Sequence, residues 1–145
     1  MILKKIFLLL LVVTVSGCAS GPKYTEVESS IPTVEQGKGR IYFYRSATMM
    51  GSGIQPEVNL NSEKVGDSQP GGFFFVDRGP GDYEVVLSTE VDKKLTFELD
   101  NGEENYVRMT VGLGVLVYRV YPELVNQTQA LSEIQGLSYT GAPLK

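Results

Sequence analysis

The sequence predicts an all-β fold: an antiparallel β-sandwich of about eight short strands with one short C-terminal helix. Three observations lead there. Sixteen Gly and seven Pro among 145 residues supply many turns. From Gly39 onward, short runs rich in β-branched and aromatic residues are separated by turn signals at short intervals. Near the C-terminus the apolar spacing changes from two to three and four, the period of a helix. With 42% apolar and 21% charged residues, the chain is composed like an ordinary globular domain and can bury a core. It divides into four segments, residues 1–17, 18–37, 38–137 and 138–145.

Residues 1–17 read as a secretion signal. Lys4 and Lys5 form a positive start, residues 6–13 (IFLLLLVV) an apolar stretch, and small residues follow. The apolar run is shorter than the roughly 20 residues a spanning helix needs. Val15, Ser16, Gly17 and Cys18 then resemble a bacterial lipobox, in which signal peptidase II recognises the first three and cuts before the cysteine. That resemblance implies diacylglycerol on the Cys18 thiol and a further acyl chain such as palmitate on the new amino group. It gives a reason for the chain to hold a single cysteine, in this place. The alternative is an ordinary signal cut after Ala19, which would discard Cys18. A residue other than Asp after the cysteine resembles the enterobacterial pattern for sorting to the outer membrane. Several acyl chains on one residue anchor stably where one is marginal.

Residues 18–37 read as the lipidated cysteine and a flexible tether, rich in Ser, Pro, Gly, Thr and Glu and without a clean period. The alternative is a short edge strand at residues 31–34. Loss of the signal removes two of the thirteen cations and none of the seventeen acids, so the mature chain would carry eleven against seventeen, or −6.

The strands follow in order. Residues 40–45 (RIYFYR) place Ile41 and Phe43 on one face, Tyr42 and Tyr44 on the other. Residues 48–54 form a glycine-broken loop. Residues 57–61 alternate, and Asn61 to Lys64 turn the chain into Val65 and Gly66. Residues 71–76 carry aromatics on both faces and should be covered on both. After a turn at residues 77–81, residues 82–89 put Tyr83, Val85 and Leu87 on one face. Residues 94–100 put Leu95, Phe97 and Leu99 on one face and Thr96 and Glu98 on the other, a half-exposed antiparallel strand. Asn101-Gly102 is the strongest hairpin signal in the chain. Residues 104–111 and 116–121 follow, split at residues 112–114. The helix is expected over residues 127–137, through Ala130, Leu131, Ile134 and Leu137, with Asn126 or Thr128 as N-cap and Gly136 near its end.

In this order the segments GRIYFYR, VNLNSEKVGD, GGFFFVDRGPGDYEV and LDNGEENYVRMTVGLGV resemble DUF2846, a family of small bacterial lipoproteins of unknown function, over roughly residues 38–134. The middle also resembles a PEGA-type β-module, at residues 58–66 and 79–85. The family resemblance implies fold and location, and it supplies no catalytic residue to transfer.

Composition narrows the chemistry. A net charge of −4 makes the chain a poor ligand for nucleic acid. There is no His, so the commonest general base and metal ligand are missing, and one Cys rules out an intramolecular disulfide. Ser62 with Lys64 lacks the pattern of a Ser–Lys nucleophile. Asp77, Asp82, Asp92 and Asp100 lack calcium-loop spacing and read as turn residues. No metal site and no cofactor are expected. Gly51-x-Gly53 and Gly112-x-Gly114 open no helix and so form no phosphate cradle. Asn126-Gln127-Thr128 matches a glycosylation sequon, which carries no weight in most bacterial lipoproteins.

Two features point to binding. Tyr42, Tyr44, Tyr118 and Tyr121, within a wider aromatic set with Phe73 and Phe75, form a partner-binding patch if one of their faces is uncovered; otherwise they pack between sheets or under the helix. Two apolar glycine-bearing loops, residues 48–54 and 112–117, can meet at one end of the sandwich. The expectation is a non-enzymatic binding or accessory module of the cell envelope. It is anchored by its acyl chains to the periplasmic face of the outer membrane, with another envelope protein as partner. The alternatives are a small carboxylate hydrolase, which needs two acids about 5–10 Å apart in a cleft, and a carrier of a small apolar ligand between its sheets.

Overall fold

The computed structural model describes residues 18–89 and 91–144. The expected signal segment, with Val15, Ser16 and Gly17, lies outside the described residues. Nine strands are present among those described: β1 (Gly39–Tyr44), β2 (Glu57–Leu60), β3 (Glu63–Asp67), β4 (Gly72–Arg78), β5 (Gly81–Ser88), β6 (Asp92–Leu99), β7 (Glu104–Leu113), β8 (Tyr118–Val125) and β9 (Ser138–Tyr139). A one-turn helix, α1 (Tyr24–Val27), precedes them, and α2 (Gln127–Ile134) lies between β8 and β9. The strands make a five-stranded sheet, β8-β7-β1-β4-β9, and a four-stranded sheet, β3-β2-β5-β6.

The expected sandwich is there, with two parallel pairings inside it. Strand β1 runs parallel to β7, Tyr42 opposite Tyr106, and β4 runs parallel to β9. Both pairings join segments far apart in sequence, and side-chain alternation is the same for either strand direction. The other pairings are antiparallel.

Alternation assigns the faces. Ile41, Phe43, Phe74, Val107 and Met109 point between the sheets, where they meet Val58, Leu60, Val85, Leu87 and Leu99. Tyr42, Tyr44, Phe73 and Tyr106 point to the outer face of the five-stranded sheet, beneath Ala130 and Ile134 of α2. That sheet is therefore covered on both sides, which explains why residues 41–44 and 73–75 read as unbroken apolar and aromatic runs. Strand β6 is an edge strand with Leu99 buried and Thr96 and Glu98 exposed, as its alternation predicts. Pro122 sits in β8, an edge strand of the five-stranded sheet, where a missing N–H costs least.

Three local expectations change. Asn101-Gly102 is a turn, with Gly102 at φ +78°, but it joins no hairpin: β6 and β7 belong to different sheets. The Gly102 N–H donates to the Lys38 carbonyl at 2.9 Å, so the turn is a crossing between sheets. The hairpin turn with both central residues at positive φ is Asn61-Ser62, at +47° and +68°. Asn61 holds it by donating to the Asp82 carbonyl and accepting from the Glu84 N–H. The helix begins as expected with Asn126 as N-cap, its side chain accepting from the Gln129 N–H, but ends at Ile134.

The third change concerns residues 18–37, expected as a free tether. The Ala19 N–H donates to the Pro70 carbonyl at 3.0 Å, and Lys23 bridges to Ser138. Helix α1 then turns Tyr24 and Val27 onto the outer-face core, with the Tyr24 ring 5.5 Å edge-on to Phe73. Ile31 packs on the same core in an extended backbone that is not a strand. Three apolar side chains spaced among polar ones carry no period, yet each finds a place on an already apolar sheet face.

Candidate functional site

All connections of one kind fall at one end of the sandwich. Because β1 and β7 run in the same direction and β4 and β8 against them, the turns after Tyr44, before Gly72 and between β7 and β8 share an end. Residues 45–56 and 114–117 are the longer connections there. Residues 46–56 and 109–118 contain no charged side chain.

The two loops meet. Gly51 sits at φ +66°, and a methyl group added to it would lie 2.7 Å from Val111 Cγ1 and 3.5 Å from Tyr118 Cβ, so only glycine brings the first loop this close to β7 and β8. Beyond the contact both loops project outward. Met49, Leu113, Val115 and Leu116 are between 77% and 91% exposed, and Met50 and Val117 about half exposed. A surface cleft of about 460 Å³ runs between Ile54 and the 113–118 turn. A second, of about 400 Å³, lies between Met50 and Thr48 on one side and Arg108 to Val111 on the other.

Arg45 shapes this end. It is 1% exposed, and among the described residues its partners are carbonyls rather than carboxylates. Its Nη1 donates to the carbonyls of Ile54 at 2.6 Å and Ser68 at 2.8 Å, and its Nη2 to that of Gly51 at 2.7 Å. Burial lowers its pKa from the ordinary value. One guanidinium thus ties the first loop to the connection before β4, satisfying carbonyls that no strand can reach. In the sequence Arg45 reads only as the end of the strand at residues 40–45. The one available signal was its position between a buried strand and an uncharged loop.

Cys18 is exposed and free. It emerges at this same end. Ala19 is held on Pro70, and a methyl group on Gly72 would lie 3.2 Å from Ala19 Cβ. A methyl group on Gly71 would in turn lie 3.1 Å from Ala47 Cβ, at the base of the first loop.

The four candidate tyrosines separate. Tyr42 and Tyr44 are 5% and 0% exposed, which corrects the expectation of a surface patch: α1 and α2 cover their face. Tyr42 stacks on Tyr106, with ring centroids 4.9 Å apart, and Tyr44 donates to Glu133 Oε2 of α2 at 2.7 Å. Burial raises the pKa of both. Tyr118 and Tyr121 are half-buried; Tyr118 borders the apolar cleft, and Tyr121 lies under Lys93 Nζ, 5.1 Å from its ring centre.

Two carboxylates do converge, on Arg108. It donates to Glu123 Oε1 at 2.9 Å and Glu133 Oε1 at 2.8 Å. The Thr110 hydroxyl bond, ahead of the Arg108 contact, lowers the pKa of Glu123. At Glu133 burial pushes upward, but hydrogen bonds from Tyr44 and Gln129 and the Arg108 charge leave the pKa lowered. Both groups are held ionised, whereas a general acid of the glycosidase type needs a raised pKa. Lys64 is paired with Glu57 and Asp67, each at 3.0 Å. Among the described residues no group of three or more His, Cys, Asp or Glu is placed to hold a metal ion, and no helix is long and apolar enough to cross a membrane.

A family model, "Protein of unknown function (DUF2846)", matches residues 35–120, from before β1 into the start of β8. It therefore spans both meeting loops. No curated protein matches the chain, and neither does any solved structure.

Proposed function

We propose that this chain, which belongs to the DUF2846 family of proteins of unknown function, is a membrane-anchored lipoprotein of the cell envelope. Acyl chains on Cys18 hold it at the periplasmic face of the outer membrane. There it serves as a non-enzymatic binding or accessory module. One observation carries the binding role: two uncharged loops converge at one end of the sandwich and expose six large apolar side chains together. Such a concentration marks an interaction surface in a folded protein. The outer face of the four-stranded sheet offers no rival, since Glu84, Lys94, Thr96 and Glu98 line it and Lys94 pairs with Glu84 at 3.6 Å. The absence of His, the ionised state of the Glu123–Glu133 pair and the side-chain-filled space between the sheets argue against the hydrolase and carrier alternatives.

Fractionation of cells expressing Cys18→Ala tests the anchor. The variant should appear in the soluble fraction or accumulate as uncleaved precursor. Maturation to normal size with retention in the outer membrane would show the lipobox reading to be wrong. In-cell crosslinking from positions on the exposed sheet and on the loops would identify an envelope protein partner, if one is bound.

A further inference from the structure

The segment expected to hold the domain away from the membrane does not do so. An extended chain over residues 19–37 would reach roughly 65 Å. Instead Ala19, the residue after Cys18, is already bonded to Pro70 in the connection before β4. The anchor residue is thus one peptide step, about 3.8 Å, from a residue fixed to the fold. It leaves the fold at the end where Ala47 begins the first apolar loop. Acyl chains attached there would bring that end, rather than any other, to the lipid surface.

From this placement we infer that the loop end is a membrane-docking face. Residues 48–54 and 113–117 seat in the interfacial layer of the same bilayer that receives the acyl chains of Cys18. The inference rests on the lipidation of Cys18 proposed above and names what the apolar surface meets. Three features of the molecule favour lipid over protein as the occupant. The loops stand beside the attachment point, so a protein partner would have to enter between the domain and its own anchor. Neither loop carries a charge that the hydrocarbon boundary would reject. The second loop closes on itself, the Gly114 N–H donating to the Val117 carbonyl at 2.8 Å, so part of its backbone polarity is satisfied without water. The remaining open backbone limits the seating to the headgroup and upper acyl region, the depth typical of interfacial elements.

The test uses the full chain, expressed in a bacterium that processes it, purified, and reconstituted into vesicles of phosphatidylethanolamine and phosphatidylglycerol. A second cysteine at an exposed position carries an environment-sensitive fluorophore: Leu116→Cys and Met49→Cys in the loops, and Asn101→Cys at the opposite end. Lipids brominated on the upper acyl chain should quench the two loop probes at least about twofold and leave the probe at 101 unaffected. Mass spectrometry of the Cys18 peptide accompanies each sample. An acylated Cys18 with loop probes no more quenched than the probe at 101 overturns the docking and leaves the anchor standing. Blue-shifted but unquenched loop probes overturn it in favour of a second copy of the chain as the occupant. An unmodified Cys18 overturns the anchor reading and the docking with it.

Discussion

Strand β1 has one arginine near its start, Arg40, and another just past its end, Arg45, and the two are accommodated differently. Arg40 and Arg45 are 2% and 1% exposed. At the start of the strand Arg40 meets Asp77 through two bonds, of 2.6 and 2.8 Å, donates to the Pro32 carbonyl at 2.8 Å, and lies over the Phe75 ring at 4.2 Å. Just past its end Arg45 bonds three carbonyls and, among the described residues, no acid. Burial works against both charges. At Arg40 the two bonds to Asp77, with Tyr42 close by, outweigh it and raise the pKa; at Arg45 burial is unopposed.

The contrast extends to the two ends of the sandwich. The Arg40 end has tight polar turns, with Asn61 on Asp82 and Glu84 and with the Asp100 N–H donating to Glu103 at 2.7 Å. The Arg45 end has long uncharged loops with exposed Met, Leu and Val side chains. A domain surrounded by water would gain nothing from such polarity. A domain standing with one end on a bilayer would, and on this account the same residue type serves as an ion-pair lock at the wet end and as a carbonyl strut at the other.

Mutations can break this contrast in stages. The largest effect is expected at the wet end. Arg40→Ala leaves the Asp77 carboxylate and the Pro32 carbonyl unpartnered and should cost about 3–5 kcal/mol in urea unfolding. Arg40→Lys should recover only part of that, since an ammonium cannot reproduce the two-pronged bond. Arg45→Ala comes next. It removes a buried charge as well as three hydrogen bonds, so a loss of about 2–3 kcal/mol is expected. Its signature is local: amide exchange should accelerate over residues 46–56 and stay unchanged around Asn61. Equal acceleration at both ends would refute the strut.

A smaller effect joins α2 to the sheet. Glu123 and Glu133 have folded pKa values below the ordinary 4.5. Their contribution to stability is complete above that value and disappears as pH falls through the lower folded values. Unfolding free energy should therefore decline below about pH 4.5, and Glu133→Gln should flatten part of the decline. The smallest effect on stability is expected at the loop tips. Val115→Asp and Leu116→Asp should change unfolding by less than about 0.5 kcal/mol, as surface substitutions do. A large loss there would mean that the tips are packed in the folded protein and are not a free surface.

How far the sequence led can be read at particular residues. The alternation of Ile41 and Phe43 against Tyr42 and Tyr44, and of Leu95, Phe97 and Leu99 against Thr96 and Glu98, assigned faces that the structure keeps. Alternation cannot say what covers a face. Tyr42 and Tyr44 were open to a surface role because the segment that helps cover them, α1 and the chain just after it, does so through Tyr24, Val27 and Ile31 dispersed among polar residues. Nor does it encode direction, so the parallel pairing of β1 with β7 was not legible. Asn101-Gly102 marked a turn correctly, while the partner of each flanking strand depended on contacts far away in sequence. The meeting of the two loops was legible as an option because both are glycine-bearing and uncharged. Arg45 was not, because its role lies in backbone carbonyls, which every residue has.

The most direct test is the mature N-terminus. Intact-mass and tandem mass spectrometry of the protein extracted from bacterial membranes should show a chain beginning at Cys18 with diacylglycerol on the thiol and an acyl group on the amine. A chain beginning at Ser20, or an unprocessed Met1 with Cys18 bare, would contradict the account, since nothing would then bring the apolar end of the sandwich to a membrane.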